Sequence, residues 1–238
     1  MDDAAGRPIG GALILADGAS PTRAVLDGAW PGWDAAISVV IAADGGARHA
    51  RELGLRVDRW VGDGDSIDEA DLRALADAGV RIERAEPEKD ESDAELAVAA
   101  ALADGATSLT ILGALGGVRI DHALSNLGLL DHPGLAGRPA WLYDEHGARI
   151  SLLVAPGVDG LPTTRDLGGA VGSRVSLVPS GSTAVGVTTT GLRYPLVGEP
   201  LVLGRTRGVS NVIIAPEARI TLESGRLLVI ETPANLGT

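Results

Sequence analysis

Carboxylates gather at a few points of this sequence, each time just after an apolar run. "ISVVIAA" (37–43) leads into "DGGARH", "RWVG" (59–62) into "DGDSID", "VRIERA" (80–85) into "EPEKDESD", and "SLTILGA" (108–114) into "LGGVRIDH". These junctions supply Asp44, Asp63 with Asp65, Asp90 with Asp93, and Arg119 with Asp121. Clustered carboxylates repel one another, so a fold that assembles them needs a cation to neutralise them. Oxygen donors without clustered histidine, in a chain with no cysteine, favour a hard ion, Mg²⁺ first and Mn²⁺ second. Magnesium held by a few carboxylates completes its shell with water and phosphate oxygens. The pairs Gly45–Gly46 and Gly116–Gly117 would let backbone N–H groups approach a phosphate chain. In an extended segment residues i and i+2 point the same way, so Asp63 and Asp65 could reach one ion or two neighbouring ions, with Gly64 leaving room for a phosphate.

Each motif also has an ordinary explanation. Asp-Gly is common turn chemistry, and a lone "DGD" is more often solvated than metal-bound. "SDAE" (92–95) fits a capping box, in which Ser92 caps a helix and Glu95 reaches back, and Asp93 could simply complement the helix dipole. Arg119 and Asp121 could be an ordinary ion pair, and His122 a first-turn residue. The coincidence of four such junctions carries the functional reading.

The elements that must position these residues follow from hydrophobic periodicity. Strands are predicted at 11–16, 37–43, 59–62, 80–85 and 108–114, with helices at 47–54, 68–79, 91–105 and from His122 to Leu130. Strands alternating with helices imply a parallel sheet with crossover helices, whose ligands bind beyond the carboxyl ends of the strands. After about Ala148 the pattern changes to short β-rich runs, "RISLLVA", "RVSLVPS", "AVGVTTT", "NVIIAP", "RITLE" and "RLLVIE", separated by Gly, Pro and Ser. The expected organisation is an α/β Rossmann-like domain over 1–147 followed by an all-β sandwich or partial barrel over 148–238.

Composition narrows the function classes. The 238 residues carry 32 acidic against 20 basic side chains, a formal net charge of −12, which argues against nucleic acid or an anionic membrane as partner. A phosphate substrate would therefore need metal. No apolar run approaches the ~20 residues of a membrane span. The start "MDDAAGRPIG" lacks the features of a signal peptide, and a soluble cytoplasmic protein is the default expectation. Phenylalanine is absent, so the core must be packed with Leu, Ile, Val and Ala.

Taken in order, "ADGGARH", "VGDGDSID", "EKDESDAELA", "GALGGVRIDHALSNLGLL", "TTTGLRYPL" and "GVSN" resemble the thiamine pyrophosphokinases, over about residues 42–211. The resemblance implies an ATP-binding catalytic domain, a thiamine-binding β-sandwich, and a homodimer with active sites between subunits. It implies pyrophosphoryl transfer from ATP to thiamine, releasing AMP. Asp63, Asp65 and Asp93 would hold Mg²⁺, and Asp44, Gly45, Gly46, Ser66, Gly116 and Gly117 would line the ATP side. Asp90 or Asp93 would orient the thiamine hydroxyl, Arg119 would neutralise phosphate, and Asp121 would face thiamine or nucleotide. Tyr194, Ser210 and Asn211 would receive the thiamine rings, an aromatic face suiting a cationic ligand. Three departures stand out: Gly64 where the family commonly has Phe, Glu88 and Ser92 where it often has Asp and Thr, and one extra residue between the glycines and Arg119. Two rivals remain: a pyrophosphokinase with another acceptor, such as a hydroxymethyl pterin, and a non-catalytic nucleotide-binding module. An NAD-dependent oxidoreductase is disfavoured because "DGASPT", not G-x-G-x-x-G, follows the first strand.

Overall fold

The computed structural model describes residues 10–156 and 160–234. They form two compact units, one from the residues up to Asp27 together with Gly32–His146, the other from Gly28–Pro31 together with the residues from Gly147 onward.

In the first unit the alternation of apolar runs and helices yields β1 (Gly11–Leu15), α1 (Arg23–Ala29), β2 (Ile37–Ala43), α2 (Ala47–Glu52), β3 (Arg59–Gly62), α3 (Glu69–Asp77), β4 (Arg81–Arg84), α4 (Asp93–Ala103), β5 (Ser108–Leu112), α5 (Ile120–Gly128) and β6 (Ala140–Tyr143). The strands are parallel in the order β6-β5-β1-β2-β3-β4. β1 is central: Ile14 pairs with Ile41 on one side and Ile111 on the other, and all five of its residues are buried. Burial on both faces is why these strands read as continuous apolar runs. α4 packs on β1, β2 and β3. Its Ala97, Val98 and Ala101 are buried, and small side chains there allow close approach to the sheet. Ser92 caps this helix as expected, its Oγ accepting the Glu95 N–H at 3.2 Å.

The second unit is antiparallel. One sheet runs through β12 (Asn211–Val212), β9 (Arg174–Pro179), β14 (Gly225–Thr232) and β7 (Arg149–Ala155). The other runs through β11 (Glu199–Leu201), β10 (Ala184–Thr190), β13 (Arg219–Leu222) and β8 (Thr163–Asp166). Alternate residues point inward, and Leu153, Leu177, Val187, Ile220, Leu227 and Val229 share one core. The expected α/β domain followed by a β-sandwich is the architecture observed.

Candidate active site

The carboxyl ends of β2 and β3 are neighbours because Ala43 pairs with Val61, which places Asp44 beside Gly62. A Cβ on Gly62 would lie 2.9 Å from the Asp44 Cβ, so glycine is what allows this approach. Asp44 opens a short 3-10 turn, Asp44–Gly46, with φ of 45°, a left-handed conformation that aspartate tolerates better than most side chains. Its carbonyl accepts the Trp60 indole N–H at 3.0 Å and its Oδ2 accepts the Ser66 N–H at 3.1 Å. The residue is only 3% exposed, and Oδ1 is buried without a hydrogen-bond partner.

Asp44 belongs to a triple. One carboxylate oxygen each from Asp44, Asp63 and Asp93 lies within 4.8 Å of the others, the group among the described residues that could hold a metal ion. Burial pushes the Asp44 carboxyl up to about 6 against the opposing Ser66 N–H, with the Asp65 and Asp93 carboxylates adding repulsion. A cation placed among the three would relieve both the burial cost and the repulsion, and all-oxygen donors fit a hard divalent ion.

Lys89 enters the same cluster. Its Nζ donates to Asp63 Oδ2 at 3.0 Å and lies 3.1 Å from Asp93 Oδ1, and its side chain is 14% exposed. The Lys89 hydrogen bond holds the Asp63 carboxyl below its ordinary value. Burial opposes the charge on Lys89, but Asp63 and Asp93 outweigh it, so the ammonium is held above its ordinary value. Sequence reasoning passed over Lys89. The signal available was a lone base inside "EKDESD", four residues before Asp93.

Asp65 stands differently from the expectation for an extended segment. Gly64 has φ of +86°, so the chain bends between Asp63 and Asp65 and the i, i+2 rule of an extended segment does not apply to the pair. The Asp65 N–H instead donates to Asp63 Oδ1 at 3.1 Å, and its carboxylate accepts the Ser66 hydroxyl at 2.8 Å. The positive φ also gives Gly64 a backbone reason of its own. Asp90 is exposed and outside the triple.

The remaining rim residues fall into three groups. Gly45 and Gly46 are buried, and a Cβ on either would collide with Asp17 or with the Leu15 carbonyl, so packing alone requires glycine at both positions. Gly116 is half-buried against Ala19 and Glu145, whereas Gly117 is exposed with φ of +111°. Arg119 and Asp121 form a bidentate pair at 2.9 and 2.5 Å, both more than half exposed, which pulls the Asp121 carboxyl well below its ordinary value.

In the second unit the Asn211 side chain clips the backbone of Tyr194. Its Oδ1 accepts the Tyr194 N–H at 3.0 Å and its Nδ2 donates to the Tyr194 carbonyl at 2.7 Å. Tyr194 is 65% exposed, and Ser210, with φ of +63°, donates its N–H to Ser176 Oγ at 3.0 Å. The structure thus brings Tyr194, Ser210 and Asn211 into one corner.

A parallel α/β unit with an acidic rim at its strand ends, followed by a β-sandwich, defines an α/β protein whose ligand would sit beyond the carboxyl ends of the strands. The family model described as "Thiamin pyrophosphokinase, catalytic domain" matches residues 33–137, and "Thiamin pyrophosphokinase, vitamin B1 binding domain" matches 163–227. The thiamine pyrophosphokinase of Bacillus subtilis is 28% identical over 193 residues, covering 81% of this chain and 86% of that protein. The solved thiamine pyrophosphokinase structure from Bacillus subtilis superposes with a TM-score of 0.78 at 26% identity, covering 93% of this chain and 98% of that one. The one from Geobacillus thermodenitrificans gives 0.74 at 27%, with 93% and 96% covered. Yeast thiamin pyrophosphokinase, at 13% identity and a TM-score of 0.70 over 96% of this chain and 87% of that one, shares the fold. The chain belongs to the thiamin pyrophosphokinase family.

Proposed function

We propose that this chain transfers the pyrophosphoryl group of ATP to the hydroxyethyl oxygen of thiamine, giving thiamine diphosphate and AMP. The observation that carries the reading is the Asp44–Asp63–Asp93 triple with its orphaned, buried Oδ1, in a chain of this family. Those three side chains would hold Mg²⁺, with Asp65 alongside. When bound, the ion neutralises phosphate charge and makes the β-phosphorus more electrophilic.

The chain's own residues supply alignment, the main demand of this chemistry. Gly116, the exposed Gly117 and Ser66 offer backbone and hydroxyl groups to the nucleotide, with Asp44, Gly45 and Gly46 forming the turn behind them. Arg119 turns from Asp121 to the phosphates, which frees Asp121 for thiamine or the nucleotide. Asp90, exposed and outside the triple, accepts the hydroxyl proton as the oxygen attacks Pβ in line and the Pα–O–Pβ bridge breaks, with AMP leaving. Tyr194 offers its face to the cationic thiamine rings, with Ser210 and Asn211 beside it. Residues 1–147 serve as the ATP-binding domain and 148–238 as the thiamine-binding domain. The protein works as a cytoplasmic homodimer whose active sites lie between subunits. No helix among the described residues is long and apolar enough to cross a membrane.

The test is AMP release from ATP and Mg²⁺ with and without thiamine, with thiamine diphosphate followed by chromatography. Thiamine-dependent AMP matched by diphosphate supports the reading. ATP binding without thiamine-dependent AMP overturns it, and a parallel reaction with a hydroxymethyl pterin detects the rival acceptor.

A further inference from the structure

The rim site carries a cation of its own. Lys89 Nζ donates to Asp63 Oδ2 at 3.0 Å and lies 3.1 Å from Asp93 Oδ1, pairing with two of the three carboxylates in the triple, while Asp44 Oδ1 and Asp93 Oδ1 are buried without a hydrogen-bond donor. Magnesium binds carboxylate oxygens at about 2.1 Å. An ammonium paired with Asp63 and Asp93 and a metal held by the same two carboxylates therefore compete for their charge. Lys89 precedes α4, which begins at Asp93, so no helical hydrogen bonding fixes its backbone. A lysine is a point charge on a flexible stem, suited to changing partners.

We propose that Lys89 is a resident counter-ion that holds Asp63 and Asp93 in register until the metal arrives, and then passes its ammonium to the polyphosphate. The inference rests on the metal reading of this site. Its consequence is coupled loading. A divalent ion entering alone must displace Lys89 into solvent, whereas one entering with a nucleotide gives Lys89 a new anionic partner. Nucleotide and metal then promote each other's binding, as linkage requires of any shared displacement. Lys89 acts here as a positioning residue: it sets the occupancy of the site rather than the chemical step.

The experiment measures Mn²⁺ binding to the full, nucleotide-free chain by electron paramagnetic resonance, in wild type, Lys89→Met, Lys89→Arg and Asp63→Asn. Lys89→Met removes the competing charge and is expected to bind Mn²⁺ about tenfold more tightly than wild type, while Lys89→Arg stays near wild type. With Mn²⁺ saturating, Lys89→Met is expected to bind α,β-methylene ATP about tenfold more weakly, because the ammonium is no longer there to meet the phosphates. A purely structural lysine would not produce these opposite shifts. Circular dichroism establishes that each variant is folded, and Lys89→Gln replaces Lys89→Met should the latter not fold. If Asp63→Asn weakens Mn²⁺ binding while the neutral Lys89 variant leaves it unchanged, the metal reading stands and the counter-ion proposal alone falls. If Asp63→Asn binds Mn²⁺ as well as wild type does, the metal reading falls and the proposal with it.

Discussion

Two carboxylates are equally buried in this protein, Asp44 in the first unit and Glu231 in the second, each 3% exposed. Their surroundings are opposite. Glu231 accepts Arg149 Nε and Nη2 at 2.9 and 2.7 Å through one oxygen, and the Gly168 and Gly169 N–H groups at 2.8 Å each through the other. Arg149 also lies over the Trp30 ring, 3.9 Å from its centroid. Asp44 receives one backbone N–H on Oδ2 and nothing on Oδ1. A buried charge with every lone pair satisfied ties a fold together; one left half-satisfied among like charges stores an affinity for something not yet bound. The contrast marks the first as architecture and the second as a site.

That distinction can be broken by substitution. Asp63→Asn is expected to lower thiamine-dependent AMP release by about 10³-fold, or about 4 kcal/mol, with the fold intact, because the triple loses a charged corner. Steady-state rates alongside a thermal melt check this, and near-normal turnover would remove Asp63 from the machinery. Glu231→Ala should do the reverse. It leaves the partly buried Arg149, its side chain 16% exposed, without its counter-ion and is expected to cost roughly 3 kcal/mol of stability, read from urea unfolding, while the variant at low temperature keeps its turnover.

A pH series sharpens the comparison further. The Asp44 carboxyl, ordinarily at 3.8, is raised to about 6 in the folded chain, chiefly by burial. Between those values the folded chain keeps a proton that the unfolded chain has lost, so the stability this group contributes is present at low pH and lost as pH rises through about 6. Metal-free wild type should therefore lose melting temperature over that window relative to Asp44→Asn, and Mg²⁺ should close the gap. Equal slopes for the two proteins would mean that Asp44 is not strained. The smallest effect belongs to the exposed Arg119–Asp121 pair. Arg119→Ala should leave the melting temperature essentially unchanged, since exposed ion pairs contribute little. Its KM for ATP should nevertheless rise, and an unchanged KM would leave Arg119 as a surface pair.

Much of the first unit was legible because burial on both faces writes parallel strands as apolar runs. The predicted runs at 37–43 and 59–62 coincide with β2 and β3, and the strands at 11–15 and 108–112 end one or two residues early. α1 and β6 were not anticipated. "RAVLDGA" buries only Leu26, and "AWLY" is four residues long, so neither offers enough periods to read. In the second unit the polar β8, "TTRD", and the three-residue β11, "EPL", escaped for the same reason.

By itself the sequence determined which residues stand at the strand ends, because local periodicity and turn chemistry place Asp44, Asp63, Asp93 and Arg119 there. It also determined the helix cap at Ser92, a contact spanning three residues. Tertiary structure alone decided which carboxylates converge. The Ala43–Val61 register sets Asp44 beside the loop that carries Asp63, and Lys89 closes on Asp63 across 26 residues of chain. Spacing along a chain specifies direction only while the backbone stays regular. Beyond a positive φ or a change of strand, the register of the sheet decides which charges meet.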